Sequence, residues 1–268
     1  MTIHIMLDLE TWGKKPGCDL RSIGACVFDP IDGTVWHRLG GHNTAEGDGT
    51  FYIATDNPHL GVAMIGQPGR IETFDDGTGK HRKYPLKRDP QTVQWWSEQS
   101  AEAQAAFDNP VDLREALQAF AGWLEHVSPV AGDPIWSHGP AFDVAILAAA
   151  YDACGLPVPW HYRAPRDTRT AFDMAGQSDH SAFMQRFNTG TAHHALDDAI
   201  SQAKAVCEAF RLVREPLDAL KPFSDAAAEL DDRCDDIDSI WENPVATDID
   251  CGDLRNAARI YNERKPTK

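Results

Sequence analysis

The sequence has no long hydrophobic run and no basic segment at its start. Its apolar stretches, such as AILAAAY at residues 145–151, are far shorter than the roughly 18 to 20 residues that span a bilayer. The first residues, MTIHIMLDLE, lack the positive charge that opens a secretory signal peptide. We therefore expect a chain of 268 residues with no membrane partner and a cytoplasmic location.

Cysteine is sparse, and no two cysteines have the C-x-x-C spacing. The six residues are scattered at positions 18, 26, 154, 207, 234 and 251. This distribution indicates neither a zinc site nor a dense disulfide framework. We expect ordinary thiols in a reducing compartment.

Basic residues are outnumbered, with 25 Lys and Arg against 41 Asp and Glu and a net charge of −16. That sign is wrong for a protein that coats a nucleic-acid backbone by releasing counterions. A polyanionic substrate would have to be held locally, through metal ions or a small basic patch. The cluster KHRKYPLKR at residues 80–88 is the candidate patch, and a solvated loop is the alternative explanation for it.

Alternating apolar and polar residues predict a strand at the start of the chain. In IHIMLDLE, residues 3–10, Asp8 and Glu10 fall on one face because successive strand residues point to opposite faces. Two further strands, SIGACVFD at 22–29 and GTVWHRLGG at 33–41, complete a predicted meander. A long insertion without clear periodicity follows at about 42–88, apart from a short strand near TFYIAT.

From residue 89 onward the pattern becomes helical, with short strands between the helices. The apolar residues of VDLREALQAFAGWLEHV recur at three- and four-residue spacing, as in an amphipathic helix. PIWSHG predicts a buried strand, and helices follow at PAFDVAILAAAYDACG and AHHALDDAISQAKAVCEAFRLV. The predicted fold class is α/β, a mixed sheet flanked by helices. This domain spans 1–214, and residues 215–268 form an acidic C-terminal extension, interpreted as a solvated helical appendage.

Acidic residues in two of these elements are candidate metal ligands. Asp8 and Glu10 share a strand apolar enough to be central, where two carboxylates need a partner. Hard divalent cations such as Mg²⁺ take oxygen ligands of this kind. Asp143 lies in the first turn of a helix, where the helix dipole alone also explains an acidic residue.

A third candidate is HHALDDA, residues 193–199, which contains two histidines and two aspartates. Helix geometry makes His194 and Asp198 neighbours, because residues four apart lie on the same face. The apolar stripe of the helix does not separate Asp197 from Asp198, since the two flank it symmetrically. Spacing alone therefore leaves open which pair acts.

Together, LDLETWG, SHGPAFDVAIL and HHALDDA resemble the three motifs of the DEDD superfamily of 3′-5′ exonucleases, in its histidine-containing DEDDh branch. More narrowly, DLETWGKKPGCDLRSIGACVFDP, DPQTVQWWSEQS and RDTRT are similar to the group that contains a mycobacterial 3′-5′ exoribonuclease and the exonuclease A of T-even phages. The resemblance covers roughly residues 3–212. It implies an RNase H-like, DnaQ-like fold with a five-stranded mixed sheet, in a bacterial or phage-infected cell.

The resemblance also implies roles for five residues. The metal ligands are Asp8, Glu10, Asp143 and Asp198, and the family pattern H-x-A-L-x-D makes His193 the general base. Two Mg²⁺ or Mn²⁺ ions roughly 3.5 to 4 Å apart would clamp the scissile phosphate. Asp8 would bridge the ions, and the imidazole of His193 would take a proton from water near neutral pH.

Several other residues are candidates for substrate contacts. Trp12 and Thr11 directly follow the predicted catalytic strand, and one residue of the Trp95–Trp96 pair is free to stack on a base; we assign this role to Trp96. Arg166 and Arg169 are candidates for phosphate or base contacts, although RDTRT is also an ordinary helix cap. His138 begins the second motif, and a core hydrogen-bond donor is its alternative role. His194 is interpreted as a structural or substrate-side neighbour.

The predicted function is metal-dependent 3′-5′ exonuclease activity on single-stranded DNA or RNA, releasing nucleoside 5′-monophosphates. The alternatives are an RNase H-like endonuclease and a catalytically idle nucleic-acid-binding or protein-binding module. The sequence does not separate DNA from RNA, since that choice depends on contacts with the 2′-hydroxyl. A homodimer is the assembly that related exonucleases suggest.

Overall fold

The computed structural model describes residues 3–36, 49–57, 63–64, 74–75, 81–82, 86–128, 132–219, 256 and 259–260. The strands are β1 (His4–Thr11), β2 (Leu20–Asp29), β3 (Thr34–Val35), β4 (Thr50–Asp56), β5 (Ala63–Met64), β6 (Phe74–Asp75), β7 (His81–Arg82), β8 (Lys87–Arg88), β9 (Val111–Asp112), β10 (Ile135–Ser137) and β11 (Pro165–Asp167). The helices are α1 (Pro90–Ser97), α2 (Ala101–Ala105), α3 (Leu113–Val127), α4 (Asp143–Ala153), α5 (Thr168–Met174), α6 (His180–Gln185) and α7 (Ala195–Ala219).

The main sheet is mixed, with the strand order β11-β10-β1-β2-β4-β9 and β3 beside β2. Strand β2 is antiparallel to both β1 and β4, whereas β1, β10 and β11 run parallel. This arrangement confirms the predicted RNase H-like α/β sheet. The five strands from β11 to β4 form its body, and the two-residue strands β3 and β9 extend it to seven strands.

The third strand of the predicted meander, expected at residues 33–41, is only two residues long in the described part of the chain. Only Thr34–Val35 pairs with β2 within the described part of GTVWHRLGG, and residues 37–41 lie outside the described residues. The next long strand is instead β4, which contains the predicted TFYIAT segment and pairs with β2 from Thr50 to Ala54. Two short sheets, β5 with β8 and β6 with β7, lie in the predicted insertion.

Strand β1 is central in the sheet because it pairs with β10 on one side and with β2 on the other. Ile5, Leu7 and Leu9 belong to the buried apolar core, as the period-two pattern requires. Burial of each such side chain contributes about 1.5–3 kcal/mol relative to exposure. The strand therefore fixes the opposite-facing Asp8 and Glu10 on a rigid element.

Helix α3 packs against this core along the predicted stripe. Its buried residues are Leu113, Ala116, Leu117, Phe120, Trp123 and Leu124. Asp112 starts the helix, since its carboxylate accepts the backbone N–H groups of Arg114 and Glu115 at 2.9 and 3.4 Å.

The chain divides into two compact units, Met1–Ala209 and Phe210–Lys268. The first contains the main sheet, and most of the second lies outside the described residues. The predicted domain boundary after residue 214 and the appendage at 215–268 stay predictions. Across the residues whose placement is described, no helix is both long enough and apolar enough to cross a membrane.

Candidate active site

The predicted acidic residues meet in one cavity of about 620 Å³. Asp8 and Glu10 come from β1, Asp143 begins α4, and Asp198 lies in the first turn of α7. Three elements that are distant in sequence thus supply four carboxylates. The cavity lining is Asp8, Leu9, Glu10, Thr11, Gly13, Lys14, Gln91, Thr92, Trp95, Trp96, His138, Phe142, Asp143, His193, Asp198 and Gln202.

A close approach of α7 to the sheet makes this convergence possible. Gly24 of β2 is the pairing partner of Asp8, and a Cβ atom at Gly24 would lie 2.2 Å from the backbone of Ala195 and Leu196. Only a glycine leaves room for the helix start there. Asp198, one turn further, is thereby brought next to β1.

Three of the cavity residues form a candidate cation site. One ligand atom from each of Glu10, His193 and Asp198 lies within 4.8 Å of the other two. Beside them, Nε2 of Gln202 donates to Oδ1 of Asp8 at 2.7 Å. The oxygen of the same amide, Oε1 of Gln202, is buried and has no hydrogen-bond partner among the described residues.

Burial raises the pKa of all four carboxyl groups, and repulsion between the site carboxylates adds to it at Asp8 and Glu10. Burial first, then the Asp143, Glu10 and Asp198 carboxylates, raise the pKa of Asp8 well above its usual range. Burial and then Asp198 raise the pKa of Glu10 to about 8, against the opposing charge of Arg21. Burial likewise raises the pKa of Asp143 to about 7 and that of Asp198 to about 6. A cluster of this kind favours a cation that replaces the protons.

The two halves of HHALDDA face different surroundings. His193 and Asp198 line the cavity, and burial lowers the pKa of the His193 imidazole, which favours its neutral form. His194 is buried and stacks on Tyr52 with ring centroids 4.2 Å apart, and Asp197 accepts the backbone N–H of Thr191 at 2.8 Å. The geometry therefore brings the pair chosen by the family pattern, rather than the i and i+4 pair, to the other acids.

Comparison with known proteins identifies the family of the chain. The family model of the Rv2179c-like 3′-5′ exoribonuclease domain matches residues 3–210. The chain belongs to this family. Among solved structures, Pop2p of S. pombe in its Mg²⁺- and Mn²⁺-bound form aligns with a TM-score of 0.41 and 14% identity, over 76% of this chain and 81% of that chain. No curated protein sequence gives a significant match.

In this member of the Rv2179c-like exoribonuclease family, three of the six predicted substrate residues line the cavity. Thr11 donates from its hydroxyl to the carbonyl of Gly13 at 2.6 Å. His138 also lines the cavity, and its Nδ1 lies 2.8 Å from the hydroxyl of Thr168. The ring therefore also makes a hydrogen bond within the protein, as its alternative structural role requires. Trp96 is the third, and its ring is almost entirely buried.

The other three predicted substrate residues do not line the cavity. Two guanidinium groups lie over the Trp12 ring, with Arg21 at 4.3 Å and Arg88 at 4.6 Å from its centroid. Arg166 donates to backbone carbonyls of residues 163–165. Arg169 donates to the carbonyl of His138 at 2.9 Å, on the loop that precedes α4. Contact of these three residues with the substrate stays a prediction, and their bonds within the protein do not favour it.

The tryptophan pair has the opposite arrangement from the one assigned from the sequence. Trp96 is 2% exposed and donates from Nε1 to the carbonyl of Thr11 at 2.9 Å. Trp95 is 40% exposed, lines the cavity, and contacts the His193 ring edge-on at 4.9 Å. Helix spacing could have separated them, because Thr92 and Trp96, four residues apart, are the buried residues of α1.

Sequence reasoning also missed two polar residues of the cavity. Gln202 lies one turn after Asp198 on α7, so the i and i+4 rule was the signal that could have found it. Lys14 follows the first motif directly and lines the cavity with an exposed side chain. Neither belongs to the three family motifs.

Proposed function

We propose that this chain is a 3′-5′ exoribonuclease that hydrolyses single-stranded RNA from its 3′ end and releases nucleoside 5′-monophosphates. The observation that carries the proposal is the convergence of Asp8, Glu10, Asp143 and Asp198 on one cavity together with His193. The family description supports RNA over DNA as the substrate class. Exposed Trp95 at the cavity wall offers a surface on which a terminal base can stack.

The residues of the cavity fit divalent cations as cofactors. The four carboxylates supply the oxygen ligands that Mg²⁺ and Mn²⁺ take, and burial, the first cause of their raised pKa values, disfavours their charge in a way that a bound cation would offset. Asp8, Glu10, Asp143 and Asp198 would hold two such ions. Bound cations would supply a polarised phosphate and a more acidic water.

The chain's own groups then have separate tasks. A neutral His193 can accept a proton from the attacking water, because burial holds the pKa of its imidazole below the usual value of 6.5. Gln202 holds the carboxylate of Asp8 in one orientation through its 2.7 Å hydrogen bond. Lys14 supplies a positive charge at the cavity wall for a phosphate.

The test is digestion of single-stranded RNA and DNA of one sequence, each labelled at the 3′ end or the 5′ end. We expect a mononucleotide to be the first 3′-labelled product and a ladder of single-nucleotide steps from the 5′ label. Mg²⁺ or Mn²⁺ should support the reaction and EDTA should stop it. RNA should be degraded faster than DNA.

Asp8→Asn should be inactive, His193→Ala should retain only a small residual turnover, and each variant should retain a cooperative thermal unfolding transition. Early mid-length fragments would instead identify an endonuclease. Metal-independent strand binding without turnover would identify a binding module. A homodimer and a cytoplasmic location stay predictions from the sequence.

A further inference from the structure

His193 has a backbone conformation that needs support from its surroundings. Its φ is +62°, in the left-handed region that residues other than glycine rarely adopt. The residue lies two positions before the first residue of α7, and its ring contacts Trp95 at the cavity wall. Such conformations persist only where neighbouring groups hold them. The neighbours are therefore part of how His193 faces the cavity.

His194 is one of these neighbours, because it begins α7 as its N-cap. Its carbonyl accepts the N–H of Asp198 at 3.0 Å, and its Nδ1 lies 3.4 Å from the donating backbone N of Asp197. A side chain that accepts the N–H three residues on is the arrangement of an N-cap. Stacking of the imidazole on Tyr52 of β4 anchors this helix start to the sheet.

Asp197 supports the turn on the other side of His193. Its Oδ2 accepts the N–H of Thr191 at 2.8 Å, whereas Nδ1 of His194 is 3.6 Å away. Gly190 packs so closely on this carboxylate that a Cβ atom there would lie 2.3 Å from Cγ of Asp197. Ser201 continues the contact, since its hydroxyl donates to the carbonyl of Asp197 at 2.8 Å and accepts the N–H of Thr189 at 3.1 Å.

We infer that His194 and Asp197 are positioning residues that clasp the turn at 189–194 and hold His193 toward the cavity. Neither residue lines the cavity, so each acts through the backbone of His193 rather than on substrate. The inference rests on the proposed function for its catalytic consequence. The geometry of the turn stands independently of it.

The first test compares Asp197→Ala with Asp197→Asn. Alanine removes the acceptor for the Thr191 N–H, and we expect kcat to fall by about 10- to 100-fold, as for a misplaced catalytic group, while KM stays within about twofold. Asparagine keeps an acceptor oxygen and should restore most of kcat. Asp179→Ala is the matched control: it removes a carboxylate cap from α6, where Asp179 accepts the N–H of Ala182 at 3.0 Å, and should leave kcat unchanged.

A double-mutant cycle with His193→Ala separates positioning from general destabilisation. If Asp197 acts through His193, Asp197→Ala in the His193→Ala background causes no further loss of kcat, because the group it positions is gone. Multiplicative losses in the double variant would overturn the inference. His194→Ala and His194→Asn extend the test, since asparagine is a good N-cap and should retain more kcat than alanine.

A spectroscopic measurement tests the turn without relying on turnover. The ¹³Cα and ¹³Cβ chemical shifts of His193 should show left-handed backbone in the wild-type protein and in Asp197→Asn, and should lose it in Asp197→Ala. Unchanged shifts in Asp197→Ala would contradict the inference. A wild-type protein without nuclease activity would remove the proposed function, and the shifts would still decide the role of Asp197.

Discussion

At the scale of single residues, burial raises the pKa of the carboxyl groups that form the candidate cation site. Desolvation is the largest cause of the raised pKa at Asp8, Glu10, Asp143 and Asp198, so burial favours the neutral form of each. Ionising several of them together without a cation is unfavourable. A divalent cation bound to these carboxylates would offset this unfavourable free energy.

The raised pKa of Glu10 makes the free energy of unfolding depend on pH. Glu10 has a folded-state pKa of about 8 against 4.5 for an ordinary glutamate, so the folded protein binds more protons than the unfolded chain in this window. Its contribution to the free energy of unfolding is complete below pH 4.5 and is lost as the pH rises through 8. In EDTA, Glu10→Gln should therefore gain unfolding temperature relative to wild type between pH 5 and pH 8. Equal differences at both pH values in thermal scans would contradict the shift.

Saturating Mg²⁺ or Mn²⁺ should raise the unfolding temperature of the wild-type protein more at pH 8 than at pH 5. Cations bind the deprotonated carboxylates, and binding to the folded state alone stabilises it. Glu10→Gln should show a smaller increase. The measurement is the same thermal scan with and without the cation.

Trp95 provides a second prediction at the residue scale. Trp95→Ala should raise KM roughly tenfold, because stacking of a base on an aromatic ring contributes about 1–3 kcal/mol. Trp95→Phe should retain most of the affinity. Tyr162→Ala is the matched control, since Tyr162 is 75% exposed and does not line the cavity. An unchanged KM in Trp95→Ala, measured by steady-state hydrolysis of a short RNA, would exclude stacking at this position.

At the scale of secondary-structure elements, the site depends on how closely α7 approaches β1 and β2. Gly24→Ala places a Cβ atom 2.2 Å from the backbone of Ala195 and Leu196, so helix and strand must separate. We expect a loss of about 1–3 kcal/mol in the free energy of unfolding, as for overpacked cores. Activity should fall at least tenfold, since Asp198 and His193 move away from Asp8.

Gly122→Ala is the control for this substitution. Gly122 lies in α3, and a Cβ atom added there would have no neighbouring atom within 4 Å, so alanine meets open space. Replacing a glycine inside a helix should raise the free energy of unfolding by roughly 0.5–1 kcal/mol. Denaturant titration checks both variants, and equal effects of the two would contradict the packing argument.

The elements also show how far the sequence alone could lead. Alternation in β1 and the stripe of α3 identified buried faces because those patterns report burial directly. The proposed metal ligands came from family motifs, since periodicity did not distinguish Asp197 from Asp198. Helix spacing carried a signal for Trp95 and Gln202 that the motifs did not use, whereas the contact of α7 with Gly24 depends on long-range packing, which neither periodicity nor the motifs encode.

At the scale of the whole molecule, a chain with a net charge of −16 must bind a polyanion through local features. Of the predicted basic patch at residues 80–88, residue 80 and residues 83–85 lie outside the described residues. One of its members, Arg88, is engaged in ion pairs with Asp19 at 2.9 Å and Asp56 at 3.5 Å. Within the described part of the chain, the cavity offers Lys14 as positive charge for the substrate, and the proposed divalent cations would add to it.

The most direct test of this account is an anomalous difference map from crystals of the protein grown with Mn²⁺. We predict anomalous peaks inside the cavity, ligated by carboxylate oxygens of Asp8, Glu10, Asp143 and Asp198, and their loss in Asp8→Asn. A cavity without anomalous density, at an Mn²⁺ concentration that supports hydrolysis of RNA, would contradict the account.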